Sequence, residues 1–304
     1  STSVEGSSYP WNGGSKYLFG YIFGGETGSA GSYGNRIYQG QPYYSSNNKT
    51  YDGYYIPTTL KVVIITDATG ISANAFYGCI MIESLTLNEG ITVICDRAFY
   101  GCSSLKSMKV PTTVETIGSY AWYDCSEMTS IQLPKVTELS DYLLYGCSKL
   151  TEVVIPDSVT KIGAYVFNGC TGITALIIPN EVQTIGAYAF SGCTGIKTVQ
   201  LSASLESIES YAFSGCTGIT SLTLPNKLKT IGSGAFKNVQ ITTIVVPKSV
   251  TSIGVGAFQG CPLESITLPF VGANRTVSEV CSSAGGMYLF GYIFGEDSYY
   301  SGEY

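Results

Sequence analysis

The side chains best able to do chemistry in this chain are thiols and phenols, because histidine is absent. Eight of the ten cysteines form a ladder: Cys79, Cys102, Cys125, Cys147, Cys170, Cys193, Cys216 and Cys261. The intervals are 22 or 23 residues up to Cys216, and the last is 45, because Lys237-Asn238-Val239 stands where a cysteine motif is due. So many cysteines would ordinarily suggest disulfides. Stacked one coil apart, however, their Cα atoms would lie about 4.8 Å from each other with side chains parallel. That leaves the Cβ atoms well beyond the ~3.8 Å a bridge prefers, so buried free thiols are expected. Cys95 and Cys281 lie off the ladder without an obvious partner. With no Cys-x-x-Cys pair and no imidazole, neither a metal site nor a cofactor is expected.

Catalysis finds no support either. Serines are abundant, but no histidine can activate one, and no Gly-x-Ser-x-Gly turn joins a strand to a helix. The acidic pair Glu296 and Asp297 reads as solvated charge in a tail. The chain is therefore expected not to be an enzyme. A net charge of −6 has the wrong sign for a nucleic-acid binder. No apolar run approaches the roughly 18–20 residues of a membrane span, so membrane insertion is not expected. Asn48-Lys-Thr50 and Asn274-Arg-Thr276 match the glycosylation triplet, a short motif of low specificity.

The tyrosines are placed unevenly. Fifteen of the twenty-four lie in the first 55 or last 17 residues. The other nine form two stripes at the cysteine period. Tyr77, Tyr100, Tyr123 and Tyr145 follow a core aromatic or its Leu144 replacement. Tyr120, Tyr142, Tyr165, Tyr188 and Tyr211 lie two residues before it. One reading is that these rings shield the edge of a core while their hydroxyls meet water. The other is an aromatic strip that binds a glycan or an extended peptide.

These residues are positioned by a repeat of about 23 residues, and ten runs of the form apolar-x-x-apolar-x-apolar start between residues 60 and 263. Leu150-Thr-Glu-Val153-Val-Ile155-Pro156 is one of them. The alternation predicts a short strand, and the proline that usually follows cannot continue a ladder. Val159-Thr-Lys-Ile162-Gly163 then returns the chain to the core, and motifs such as Ala-Phe-Ser-Gly-Cys at 189–193 make a tight turn. Twenty-three residues are too few for a strand and a full crossover helix, but they suit one coil of a solenoid. The expected fold is a leucine-rich-repeat solenoid of about ten coils of 22–23 residues. It would have a mainly parallel β-sheet on one face and turns or short helical segments on the other. Outward strand positions are mostly Ser, Thr and Gln, which accounts for the low charge. Val154 and Ile177, outward on adjacent coils, are the candidate contact patch on that sheet.

The consensus Leu-x-x-Leu-x-Leu-Pro-x-x-Val-x-x-Ile-Gly-x-x-Ala-Phe-x-Gly-Cys resembles the repeat of BspA-like leucine-rich repeat proteins over about residues 55–270. The resemblance implies a bacterial protein, surface-exposed or secreted, that adheres to host proteins or other cells.

Outside the repeat, residues 17–24 and 288–295 both read Tyr-Leu-Phe-Gly-Tyr-Ile-Phe-Gly. This divides the chain into an N-terminal Tyr/Gly/Ser-rich connector or cap (1–54), the solenoid (55–270) and a C-terminal connector (271–304). It also suggests one period of a longer polypeptide in which arrays alternate with connectors, the export signal lying elsewhere. The octapeptides are expected to form ordered strands that cap the solenoid ends, with disorder the alternative for the rest of 1–50. Three functions remain open: a surface module binding a host or neighbouring-cell protein, a glycan-binding accessory module, and a spacer projecting other domains. Oligomeric state is not predicted.

Overall fold

The computed structural model describes residues 25–26, 36–45, 48–57, 59–270 and 289–295. The octapeptide at 17–24, Cys281, the triplet at 274–276 and the acidic pair at 296–297 lie outside the described residues. Strands Arg36–Ser45 and Asn48–Pro57 form an antiparallel hairpin, and Gly25–Glu26 pairs with its second strand through Gly25 opposite Tyr54. This stretch is rich in tyrosine, which suits a pleated surface.

From residue 60 the chain winds into the expected solenoid. Three-residue strands such as Ser107–Lys109, Ser130–Gln132 and Glu152–Val154 pair in parallel and in register, residue for residue, one coil to the next. Their burial alternates exposed–buried–exposed, as at Ser84–Thr86 and Ala175–Ile177, so the middle residue enters the core. The run at 221–223 keeps this alternation but forms no strand. There the inward Val199 and Leu222 are half-buried rather than buried.

A second parallel ladder was not foreseen. It runs through the Val-x-x-Ile step as two-residue strands, six of them continuous from Glu138–Leu139 to Ser252–Ile253. Its inward residues, including Ile162, Ile185, Ile208 and Ile231, are fully buried. The glycine that follows is needed for closeness: a Cβ on Gly186 would sit 2.6 Å from the Gly163 carbonyl carbon.

The far side of each coil consists of turns rather than helical segments. Here a third set of hydrogen bonds links the coils, always from an earlier N–H to a later carbonyl. Tyr165, Phe167 and Gly169 donate to Ala187, Ala189 and Ser191, and the pattern recurs along the array. The turn needs a left-handed residue before the cysteine, which Gly192 supplies at φ 74°. Asn238 does the same at φ 60° in the coil that lacks cysteine, and Val239 fills the buried place, so that coil is intact.

Inside, one apolar ladder runs the length of the rod. Phe76, Phe99 and Trp122 stack at 5.2 and 5.6 Å, and Phe167, Phe190, Phe213, Phe236 and Phe258 continue the line at 5.2–5.8 Å. The Trp122 indole N–H, which would otherwise be stranded in the core, points at the Met108 sulfur 3.0 Å away. In two coils that lack the proline, a polar side chain closes the same turn. Asn88 exchanges hydrogen bonds with the Ala68 backbone, and the Ser202 hydroxyl donates to the Asn180 carbonyl.

The C-terminal octapeptide forms a six-residue helix, Leu289–Phe294, where a capping strand was expected. The reason lies in what the last coil lacks. Gly256 and Phe258 have turn N–H groups but no later coil to receive them. The final carbonyls of a helix are unsatisfied within it, and here Tyr292 and Ile293 present them at 2.7 and 2.9 Å. Ile293 is buried in the core, and Gly295 ends the helix at φ 78°.

Replacing Phe190 by Ala removes the middle of a stacked ladder and should cost about 3–5 kcal/mol. Urea denaturation followed by far-UV circular dichroism would measure it, and a change below about 1 kcal/mol would contradict this packing.

Candidate functional site

The tyrosine stripes form on the turn side because the inter-coil hydrogen bonds hold equivalent residues one above another. Tyr120, Tyr142, Tyr165, Tyr188 and Tyr211 make one column, with ring centroids 4.5–4.8 Å apart and planes within 13° of parallel. Tyr77, Tyr100, Tyr123 and Tyr145 make a second, at 4.5–4.7 Å. The columns meet where Tyr120 touches Tyr123 and Tyr142 touches Tyr145 at tilted angles. All nine rings are half-buried.

This geometry determines what the first column offers. Interior rings spend both faces on their neighbours. At one end the Arg97 guanidinium lies over Tyr120, 4.8 Å from its centroid. At the other end the Tyr211 ring lies where a Cβ on residue 234 would collide with it, and glycine occupies that position. Ring edges and hydroxyls, rather than ring faces, are therefore presented outward. Burial raises the pKa of Tyr100, Tyr123, Tyr142 and Tyr188, and the neighbouring phenols push that of Tyr123, Tyr142 and Tyr188 the same way.

Each tyrosine of the first column also has a left-handed backbone, with φ between 57° and 60°. Coils without tyrosine there carry Asn74, Arg97, Gly234 or Gly256 in the same conformation. Left-handed backbone is rare for an aromatic residue and is a marker of sites worth inspecting.

The thiols do more than fill space. Each ladder cysteine from Cys102 onward donates to the carbonyl of the core residue in the coil before it. Examples are Cys193 to Phe167 at 3.0 Å and Cys216 to Phe190 at 3.1 Å. Those carbonyls already accept a turn N–H, from Cys170 and Cys193, so the thiol occupies a second lone pair. Burial holds Cys102, Cys147 and Cys216 up at about 12, against an ordinary 9.0. These are inert structural thiols. The nine described cysteines, including the half-buried Cys95, are free. Among the described residues no group of His, Cys, Asp and Glu could hold a metal ion.

Val154 and Ile177 lie on a different side of the coil, the strand face. They are 77% and 66% exposed, the two most exposed large hydrophobic residues described. They occupy the same outward row on neighbouring coils, and the strand pairing breaks between them, since Glu152–Val154 ends one sheet and Ala175–Ile177 begins another. Sequence reasoning missed Val62 and Ile64, at 57% and 63% exposure, and placed Val245, at 64%, in the outward row without counting it in the patch. Val62 and Ile64 could have been found, because the first coil reads Val-Val-Ile-Ile where later coils place hydroxyl residues outward.

Fold and site together define a leucine-rich-repeat solenoid with an outward strand face and a tyrosine-lined turn side. The family model for the BspA type leucine rich repeat region matches residues 54–174 and 160–279 in six copies, and the chain belongs to that family. Among solved structures it is similar to the leucine rich repeat protein of T. pallidum. That match has 22% identity and a TM-score of 0.49, and covers 55% of this chain and 81% of that one. It is also similar to the pneumococcal vaccine antigen PcpA, at 20% identity and a TM-score of 0.49, covering 72% of this chain and 64% of that one. A leucine rich cell surface protein of Faecalibacterium prausnitzii A2-165 matches at 20% identity and a TM-score of 0.37, over 80% of this chain and 95% of that one. The comparison with curated proteins found no match.

The raised thiol and phenol pKa values fix the sign of the alkaline response. The native state keeps protons that the unfolded chain has released, so stability is full below about pH 9 and falls as pH rises toward 12. Urea midpoints measured from pH 8 to 12 should decline across that window. A flat profile would contradict the burial of these groups.

Proposed function

We propose that this chain is a non-catalytic binding module, displayed at the cell surface or secreted, whose strand face recognises an extracellular protein. The observation that carries this reading is the set of exposed branched aliphatic side chains on that face: Val62, Ile64, Val154, Ile177 and Val245. Elsewhere the face is built of small hydroxyl residues, which makes Val154 and Ile177 the focus of a patch with a polar rim. A β-branched side chain is a good strand former, but so is threonine, and threonine would serve strand formation alone without exposing apolar surface. The break in strand pairing between the two residues adds local relief. Membership of the BspA type family agrees with a binding role for the repeat. No helix among the described residues is long and apolar enough to cross a membrane.

A second reading, glycan binding, is favoured by the tyrosine hydroxyls. Tyr120, Tyr142, Tyr165, Tyr188 and Tyr211 present a row of phenol edges about one coil apart, suited to hydrogen-bonding a chain of sugar hydroxyls rather than stacking on sugar rings.

Val154→Lys with Ile177→Lys should weaken binding to immobilised extracellular-matrix proteins at least tenfold. Such exposed substitutions leave stability within about 0.5 kcal/mol. Tyr165→Ser, Tyr188→Ser and Tyr211→Ser together should leave that binding unchanged. Surface plasmon resonance on a matrix-protein panel, run beside a glycan array, measures both variants. Loss of glycan signal in the tyrosine variant with no matrix binding in the native chain would favour the second reading, and silence in both assays would favour a spacer.

A further inference from the structure

The side chains and carbonyls described in the C-terminal cap belong to the duplicated octapeptide. Tyr292 and Ile293 accept the N–H groups of Gly256 and Phe258, Ile293 enters the core, and Tyr292 and Phe294 pack against it. Gly295 lies so close to the last turn that a Cβ there would come within 2.9 Å of the Gln259 side chain. Residues 17–24 repeat all eight letters, with Tyr21, Ile22, Phe23 and Gly24 in the places of these four. The N-terminal copy thus carries the same determinants for the same surface.

Its own last coil already carries the C-terminal copy. Gly25 is paired with Tyr54, and the Pro57 carbonyl accepts a hydrogen bond from Leu60 at the entrance to the first coil. The strand that holds Gly25 therefore leads into the first coil, at the other end of the rod. About eight inter-coil steps of roughly 4.8 Å separate the first coil from the turn at Gly256, about 38 Å, whereas eight extended residues span at most about 28 Å. We propose that the last coil is capped in trans when its own octapeptide is displaced: residues 17–24 of a second copy of this chain dock on Gly256, Phe258 and Gln259, joining copies head to tail. The closing contact is then interchangeable, and the chain's own copy prevails in the isolated molecule because it is tethered beside the site. This holds whatever ligand the strand face takes.

The test uses the full chain carrying Ile293→Asp, which puts a charge where the cap enters the core. A fluorescent peptide of sequence Tyr-Leu-Phe-Gly-Tyr-Ile-Phe-Gly should bind this variant at least tenfold more tightly than the native chain, whose site is filled. In sedimentation velocity the variant should associate with rising concentration, and adding Ile22→Asp should abolish association while leaving peptide uptake intact. Absence of both uptake and association, or association unaffected by Ile22→Asp, would overturn the proposal. Should circular dichroism show that Ile293→Asp unfolds the array, Gly295→Val gives the same readouts with a milder change. It loosens the cap through the left-handed backbone at 295 and the crowded Gln259 side chain.

Discussion

The structure depends on the hydrogen bonds that tie each coil to the next, because they fix the spacing at about one strand width and leave every side chain facing its own counterpart. A position in this repeat must therefore hold a residue that stacks well on itself. Phenylalanine, tyrosine, isoleucine and hydroxyl residues meet that condition. Charge does not, since two like charges about 5 Å apart repel by about 0.8 kcal/mol even in water. The charged residues that do occur in register alternate in sign. Lys61 and Lys106 both reach Glu83 at 2.6 Å and pull its carboxyl down to about 2, and Glu127–Lys149 and Glu206–Lys229 repeat the arrangement.

The tyrosine column shows the same constraint working against local preference. A left-handed aromatic residue costs of order 1 kcal/mol or more relative to glycine. A parallel ring contact returns about 0.5–1.5 kcal/mol, and the four contacts of the column return about 2–6 kcal/mol in all. A lone tyrosine at this position would have no such return, whereas a run of five offsets much of its strain, with Arg97 and Gly234 adapted to its ends. Strain and stacking thus account for one another, and what the column leaves for a partner is its row of hydroxyls.

Much of this was legible in the sequence because the period is so regular. Strand alternation, buried aromatics and the thiol ladder all follow from one 23-residue pattern. Features that depend on a neighbouring coil were not legible. The thiol's donation to a carbonyl 26 residues earlier, as from Cys193 to Phe167, has no local signature. Nor does the missing strand at 221–223, whose letters Ser-Leu-Thr are those of the paired strand Ser84–Thr86. The octapeptide read as a strand because an apolar run of eight fits either state. Its helix is selected by the unpaired donors of Gly256 and Phe258, which lie more than thirty residues away in sequence. In the candidate site, Val154 and Ile177 stood out against hydroxyl neighbours, and the run Val62-Val-Ile-Ile65 carried the same signal in the first coil.

The direction of the turn-side bonds gives the rod a chemical polarity that the strand ladders lack. Every such bond runs from an earlier N–H to a later carbonyl, so this ladder ends in donors at the last coil and begins with acceptors at the first. Two identical ends could close on each other in a symmetric pair; a donor end and an acceptor end cannot, and contacts between them propagate head to tail. A rod of this kind needs a terminator that supplies carbonyls without offering a further set of donors. A short helix ended by a left-handed glycine does so, because its last carbonyls are free while its amide groups are turned inward along its own axis. Length in this protein is therefore limited by a segment that does not belong to the repeat, and an extension of the array would have to displace it.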